Sequence, residues 1–133
     1  MGWRKVTRGL LDTNVFISLE LGRSVNSQMI PDELAISVIT LAELEFGVYS
    51  ATNQQMRAKR MATFRKVMDF EAIDITSDIA SIWAALRASG QAKKSKLSEN
   101  DVWIAATAIN QGVPLVTQDR AFASISDLET IFV

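Results

Sequence analysis

Short apolar runs rich in β-forming residues alternate along this chain with stretches of helical spacing, and that alternation limits the possible folds more than any single motif. Residues 9–11 read as the end of a buried strand, and Asp12-Thr13-Asn14 turns the chain into an apolar helix over 15–21. A polar loop carries Pro31, Asp32 and Glu33; residues 34–38 are β-like, and Thr40 stands where it can cap a helix running to about residue 49. A second helix is expected over 53–68, with Met61, Phe64 and Met68 along one face, and a short strand over 71–75. Thr76 opens and Gly90 closes the clearest amphipathic stretch, in which Ile79, Ile82, Trp83 and Leu86 follow i, i+3, i+4, i+7 spacing. Its apolar face is suited to burial against the sheet or against a second subunit. Ser98 caps a helix to about residue 111, which Gly112 stops. A strand at 114–117, a helical turn at 119–124 and a last strand at 130–133 complete the chain. Strands alternating with helices imply a parallel sheet sandwiched by helices, an α/β architecture. With 133 residues and no repeat or linker, 1–133 is expected to be a single domain.

Composition removes several kinds of chemistry. The chain has no Cys, so no disulfide framework holds it, which fits a cytoplasmic location. No apolar run approaches the length of a membrane span. There is also no His, which closes the imidazole route to proton transfer near neutral pH and the Cys/His routes to soft or borderline metals. Carboxylate, hydroxyl, Lys, Arg and one Tyr remain. The net charge of −1 does not announce a nucleic-acid binder, but the cations are clustered. Arg57, Lys59, Arg60, Arg65 and Lys66 lie in one acid-free stretch, and Arg87, Lys93, Lys94 and Lys96 in another. Solvated helix faces have this composition too.

Four acids draw notice. Asp12 and Asp119 stand where an open parallel sheet places its site, at the carboxyl ends of strands. Glu43 stands just beyond strand two, and the place of Asp101 depends on how its helix packs. Asp12 directly follows the first strand and Asp119 lies two residues beyond the 114–117 strand. Glu43 and Asp101 fall in the first turns of the helices after strand two and before the 114–117 strand. Each has an ordinary structural role available. Asp12 can cap a helix, Asp119 can start an Asx turn, and Thr40-Leu41-Ala42-Glu43 and Ser98-Glu99-Asn100-Asp101 both match a capping box. Together they are harder to explain that way. Asp12, Glu43 and Asp101 border apolar segments, where ionisation is costly unless something offsets the charge. A divalent cation does so, and oxygen ligands alone select a hard ion, Mg²⁺ or Mn²⁺. Such an ion suits phosphoryl chemistry.

Four motifs in order resemble those of the PIN-domain ribonucleases: Leu11-Asp12-Thr13-Asn14-Val15; Ser37-Val38-Ile39-Thr40-Leu41-Ala42-Glu43-Leu44 with Gly47; Asn100-Asp101-Val102-Trp103-Ile104-Ala105-Ala106; and Val116-Thr117-Gln118-Asp119 with Phe122. They extend over about residues 8–133, and the chain is most similar to the VapC-type toxins of prokaryotic toxin–antitoxin pairs. The resemblance implies a three-layer α/β/α sandwich around a parallel sheet of about four to five strands. It implies a catalytic pocket of Asp12, Glu43, Asp101 and Asp119, with Mg²⁺ or Mn²⁺ held by Asp12, Asp101 and Asp119. A metal-activated water would cut RNA to leave a 5′-phosphate and a 3′-hydroxyl. Thr117, with Thr13 and Asn14, would orient the acids, and the expected partners are RNA, a cognate antitoxin protein and a second copy of the chain. Because the acids repel RNA, rim cations are needed for its phosphates. Lys93, Lys94 and Lys96 are the first candidates and the 57–66 stretch the second. Residues 1–8 precede the first motif, and no His accompanies Phe122.

Other functions meet obstacles. A haloacid-dehalogenase-like phosphatase needs a second Asp where Asn14 stands. A response-regulator receiver wants an acceptor Asp at the end of a middle strand and a Lys after a late one; Asp74 is expected inside its strand, and Thr117-Gln118-Asp119-Arg120 contains no Lys. A catalytically silent PIN-like module that only binds RNA or a partner keeps the same fold without the chemistry.

Overall fold

The computed structural model describes residues 5–91 and 96–133. Strand β1 (Arg8–Leu11) leads into helix α1 (Thr13–Glu20), and a 3₁₀ turn (Ser27–Met29) precedes β2 (Glu33–Ser37). Helices α2 (Val38–Tyr49) and α3 (Gln54–Val67) follow, then β3 (Glu71–Ile73), α4 (Ser77–Ser89) and α5 (Glu99–Gln111). The chain ends with β4 (Leu115–Thr117), a second 3₁₀ turn (Arg120–Ser124) and β5 (Thr130–Phe132). The strands form one sheet in the order β3-β2-β1-β4-β5, and every pairing is parallel.

Side chains of successive strand residues point to opposite faces, and β1 and β4 use both. Leu10 and Leu115 join one fully buried cluster with Ile79 and Leu86 of α4 and Val102 and Ile104 of α5. Leu11 and Val116 join the other, with Val15 and Phe16 of α1, Leu44 of α2 and Val67 of α3. The expected three-layer α/β/α sandwich is therefore what forms. The amphipathic face of α4 is spent within the domain: Trp83 stacks on Trp103 of α5, with ring centroids 4.7 Å apart and planes 12° from parallel.

Strand order reverses between β1 and β4, and at such a switch point the connections leave in opposite directions and open a crevice beyond the carboxyl ends. Asp12 and Asp119 flank that crevice. The close approach of β1 to its surroundings needs Gly9. A Cβ there would stand 2.8 Å from Val116 Cγ2 and 2.9 Å from Pro31 Cγ, a β-branched side chain and a ring that are both buried. Gly9→Ala is expected to destabilise the fold by about 1–3 kcal/mol through overpacking, read as a lower urea midpoint with an unchanged slope.

Several boundaries differ from expectation. Val38 is helical rather than extended, because Ser37 and not Thr40 is the N-cap: the Ser37 hydroxyl accepts from the Ile39 N–H at 3.0 Å. The Thr40–Glu43 capping box therefore does not form, and Glu43 lies in the second turn rather than the first. On α3 the buried residue is Val67, while Met68 is 61% exposed, so the packed face is turned by one position. Strand β3 stops at Ile73, so Asp74 follows the strand rather than lying within it. The receiver comparison fails on another ground: β3 is an edge strand, and the residues after β4 include no Lys.

Candidate active site

Asp12 is the hinge between β1 and α1. It is 3% exposed, and both carboxylate oxygens are engaged: Thr13 N–H donates to Oδ1 and Thr117 Oγ1 to Oδ2, each at 2.8 Å. Burial pushes its carboxyl up to about 7 from 3.8, because the charged form loses its hydration. The hydrogen bonds from Thr117 and Thr13 oppose the rise, while the negative charges of Asp101 and Glu43 add to it. The fold thus brings three of the four acids into one electrostatic neighbourhood, from α1, α2 and α5.

Thr117 fixes the geometry at the crevice. Its hydroxyl accepts from Asn14 Nδ2 and from the Asp119 N–H, each at 3.1 Å. Both lone pairs are used, so its single proton points at Asp12. Asn14 also accepts from the Gln118 N–H at 3.2 Å, tying α1 to the segment that carries Asp119. Ser18 adds a hydrogen bond from its hydroxyl to the Gln118 side chain.

Glu43 is held from the other side. Thr13 Oγ1 donates to Glu43 Oε1 at 2.8 Å and lies 2.9 Å from Thr40 Oγ1. With the Thr13 proton on Glu43, the Thr40 hydroxyl is the donor to Thr13, and a chain of two hydroxyls aims at the carboxylate. Thr40, fully buried, is a residue that sequence reasoning assigned to a different task. Its signal was available only as an unusual polar residue between Ile39 and Leu41.

Asp101 does close its expected capping box. Its N–H donates to Ser98 Oγ at 3.1 Å, and Ser98 N–H donates to Asp101 Oδ2 at 3.0 Å. Oδ2 is used for capping, and Oδ1 accepts no hydrogen bond among the described residues. Asp119 is exposed, and its Oδ1 caps the 3₁₀ turn by accepting from the Ala121 N–H at 2.9 Å. Burial of the acids is therefore uneven: Asp12 is deeply buried, Glu43 and Asp101 are half-buried and Asp119 faces solvent. The desolvation argument made for three acids holds in full for Asp12 alone.

The donor set suits a hard cation: carboxylate oxygens, excess negative charge, and no Lys or Arg ion-paired to these four acids among the described residues. Yet no three acidic side chains among the described residues stand close enough to form a ready-made cage. Lys96, exposed, sits in the left-handed region at φ 62° on the turn into α5. Lys93 and Lys94 lie outside the described residues.

The sheet order and the crevice at its switch point define the class to which comparison with known proteins leads. The model of the PIN domain matches residues 9–128. Ribonuclease VapC5 of Mycobacterium tuberculosis is 41% identical over 92% of this chain and 91% of its own. Ribonuclease VapC4 of the same organism is 37% identical over 95% and 97%. Among solved structures, a VapBC-5 toxin–antitoxin structure from M. tuberculosis superposes with a TM-score of 0.83 at 39% identity, covering 96% of this chain and 99% of that one. The chain belongs to the PIN-domain family and, within it, to the VapC ribonucleases.

Proposed function

We propose that the chain is a metal-dependent endoribonuclease and the toxin of a type II toxin–antitoxin pair, working through Asp12, Glu43, Asp101 and Asp119. The observation that carries this is Asp12, a desolvated carboxyl facing two further acids and held by hydrogen bonds that favour its ionised form. That arrangement destabilises the fold at neutral pH unless a cation arrives, which is a cost expected of a site and not of a helix cap.

Asp12, Asp101 and Asp119 would hold Mg²⁺ or Mn²⁺, which when bound supplies Lewis-acid activation of a water and of the phosphate. Thr117 keeps the Asp12 carboxylate turned toward the crevice. Glu43, oriented by Thr13 and free of capping duty, accepts the proton that the attacking water gives up. The water oxygen bonds to phosphorus as the P–O3′ bond breaks, the departing O3′ takes up a proton from solvent, and the products are a 5′-phosphate and a 3′-hydroxyl. RNA is the substrate because relatives named as ribonucleases align with more than nine-tenths of the chain. A protein antitoxin is the expected partner, since the superposed structure comes from a VapBC toxin–antitoxin system. A homodimer is the proposed assembly. No helix of the described residues is long and apolar enough to cross a membrane.

A second reading, a silent module that only binds RNA or a partner, draws on one observation: the acids do not close into a cation cage. Incubation with total cellular RNA and Mg²⁺, beside EDTA and Asp101→Asn controls, separates the two. Discrete new 5′-phosphate ends that vanish in both controls are expected. RNA left intact by folded, inhibitor-free protein would support the silent module.

A further inference from the structure

Ser18 is a polar residue among the apolar side chains of α1, and it is 3% exposed. A buried serine within a helix can return its proton to the carbonyl four residues earlier. Here its hydroxyl donates to Gln118 Oε1 instead. The other end of the same amide, Nε2, donates to the Ser24 carbonyl at 2.9 Å. A carbonyl can only accept, so this contact fixes which way the amide is turned. The Gln118 main-chain N–H donates to Asn14 Oδ1 at 3.2 Å. Asn14 and Ser18, four residues apart, share one face of α1. Gln118 therefore uses its N–H and both ends of its side chain to hold α1 and the loop behind it. That loop is itself anchored: the Arg23 N–H donates to the Ser18 carbonyl at 2.8 Å, and the Asn26 N–H to the Val133 carbonyl at 2.7 Å. Asp119 has no such hold. It is exposed; among the described residues its carboxylate bonds only to the Ala121 N–H, and its own N–H only to Thr117.

We propose that Gln118 is a positioning residue for the metal-dependent reaction: it pins the 117–119 segment to α1, so that Asp119 meets the cation from a fixed base. The inference rests on the metal-dependent reading of the four acids and adds to it the residue that sets where the exposed acid stands. Thr117 ties the segment to Asp12 through its hydroxyl. One hydroxyl is a pivot, about which the chain beyond it can swing. Gln118 stops the swing, because the next residue along is held by Asn14, Ser18 and Ser24 at once. Without that hold the segment has to be ordered when the cation binds, and the lost conformational freedom lowers the affinity. A Gln118 that merely satisfied Ser18 and Ser24 would matter to stability and leave the cation's affinity alone.

The test measures Mn²⁺ binding by electron paramagnetic resonance, the urea midpoint of the metal-free protein, and the Mn²⁺ concentration that half-saturates cleavage of total cellular RNA. Gln118→Met keeps the length of the side chain and removes both of its hydrogen-bonding ends. It is expected to weaken Mn²⁺ binding about tenfold and to raise the half-saturating Mn²⁺ by a similar factor. Ser18→Ala, which leaves the 117–119 segment untouched, should weaken Mn²⁺ binding in the same direction by a smaller factor. The double variant should bind Mn²⁺ no more weakly than Gln118→Met alone, since both changes act through one contact. Should Gln118→Met fail to fold, Ser18→Ala carries the test by itself. Wild-type Mn²⁺ affinity in the folded variants, with only the urea midpoint lowered, would overturn the positioning role and leave Gln118 a structural residue. A wild type that itself binds no Mn²⁺ would overturn the metal-dependent reading with it.

Discussion

Asp12→Asn is expected to abolish RNA cleavage and at the same time make the metal-free protein more stable above neutral pH. The two effects have one origin. The Asp12 carboxyl is pushed up to about 7 in the fold against 3.8 in the unfolded chain. Below pH 3.8 both states are protonated and the group is neutral in its effect. Between these values the unfolded chain releases its proton while the fold retains it, so stability falls as pH rises, and the loss is complete above about 7. A shift of this size corresponds to at most roughly 4 kcal/mol. Asn removes that pH dependence, but not all of the loss is recovered. Whichever way its amide is turned, an N–H₂ meets a donor: the Thr13 N–H on one side, or the Thr117 hydroxyl, whose lone pairs are already filled by Asn14 and Asp119. A net gain of about 1–2 kcal/mol at pH 8 is expected in EDTA, read as a higher denaturant midpoint, with the order reversed at pH 4. Cleavage should fall at least 10²-fold, roughly the loss seen when one electrostatic contributor to a reaction centre is removed. A wild type whose midpoint does not fall between pH 4 and pH 8 would remove the basis for both effects.

Thr117→Val should be nearly as damaging by a different route. The side chains have the same shape, so no cavity opens; what is lost is one hydroxyl that makes three hydrogen bonds. Asn14 Nδ2 and the Asp119 N–H lose their acceptor, and Asp12 loses the donor that favours its ionised form. The expected cost is about 2–4 kcal/mol of stability, since donors are left unmet in a buried place. Activity should fall further than stability implies, because Asp12 is no longer turned toward the crevice and its carboxyl rises further. Thr117→Ser, which keeps the hydroxyl, should restore most of the activity; if Ser rescues neither cleavage nor midpoint, the methyl group and its packing matter more than the hydrogen bonds.

The sequence showed the layers and the four acids, because both depend on local pattern. Alternating apolar runs marked the strands, and Ser98, Gly90 and Gly112 ended their helices as expected. It did not show where β2 ends. Val38 and Ile39 are β-branched and continue the strand pattern, yet pairing with β3 runs out at Ser37 opposite Ile73, and the free Ser37 hydroxyl then caps the helix. That one shift moved Glu43 into the second turn and gave Thr40 to Thr13. Nor could local pattern reveal partners 105 residues apart, such as Thr117 and Asp12, or the return of Arg60 to the end of α2. These contacts exist only because β1 lies beside β4 and α3 folds back along α2. Uneven burial was hidden for the same reason: Asp12 and Asp119 both follow strands, but Asp12 is enclosed by α1 and Thr117 while Asp119 starts an exposed turn.

The central claim is that these carboxylates converge to bind a divalent cation that the reaction needs. Binding of Mn²⁺ to metal-free protein, followed by electron paramagnetic resonance at pH 7.5 in wild type and Asp12→Asn, tests it most directly. The account predicts saturable binding to the wild type, proton release on binding as the raised Asp12 carboxyl ionises, and loss of both in the variant. A wild type that leaves Mn²⁺ free in solution, yet cleaves RNA in EDTA, would contradict it.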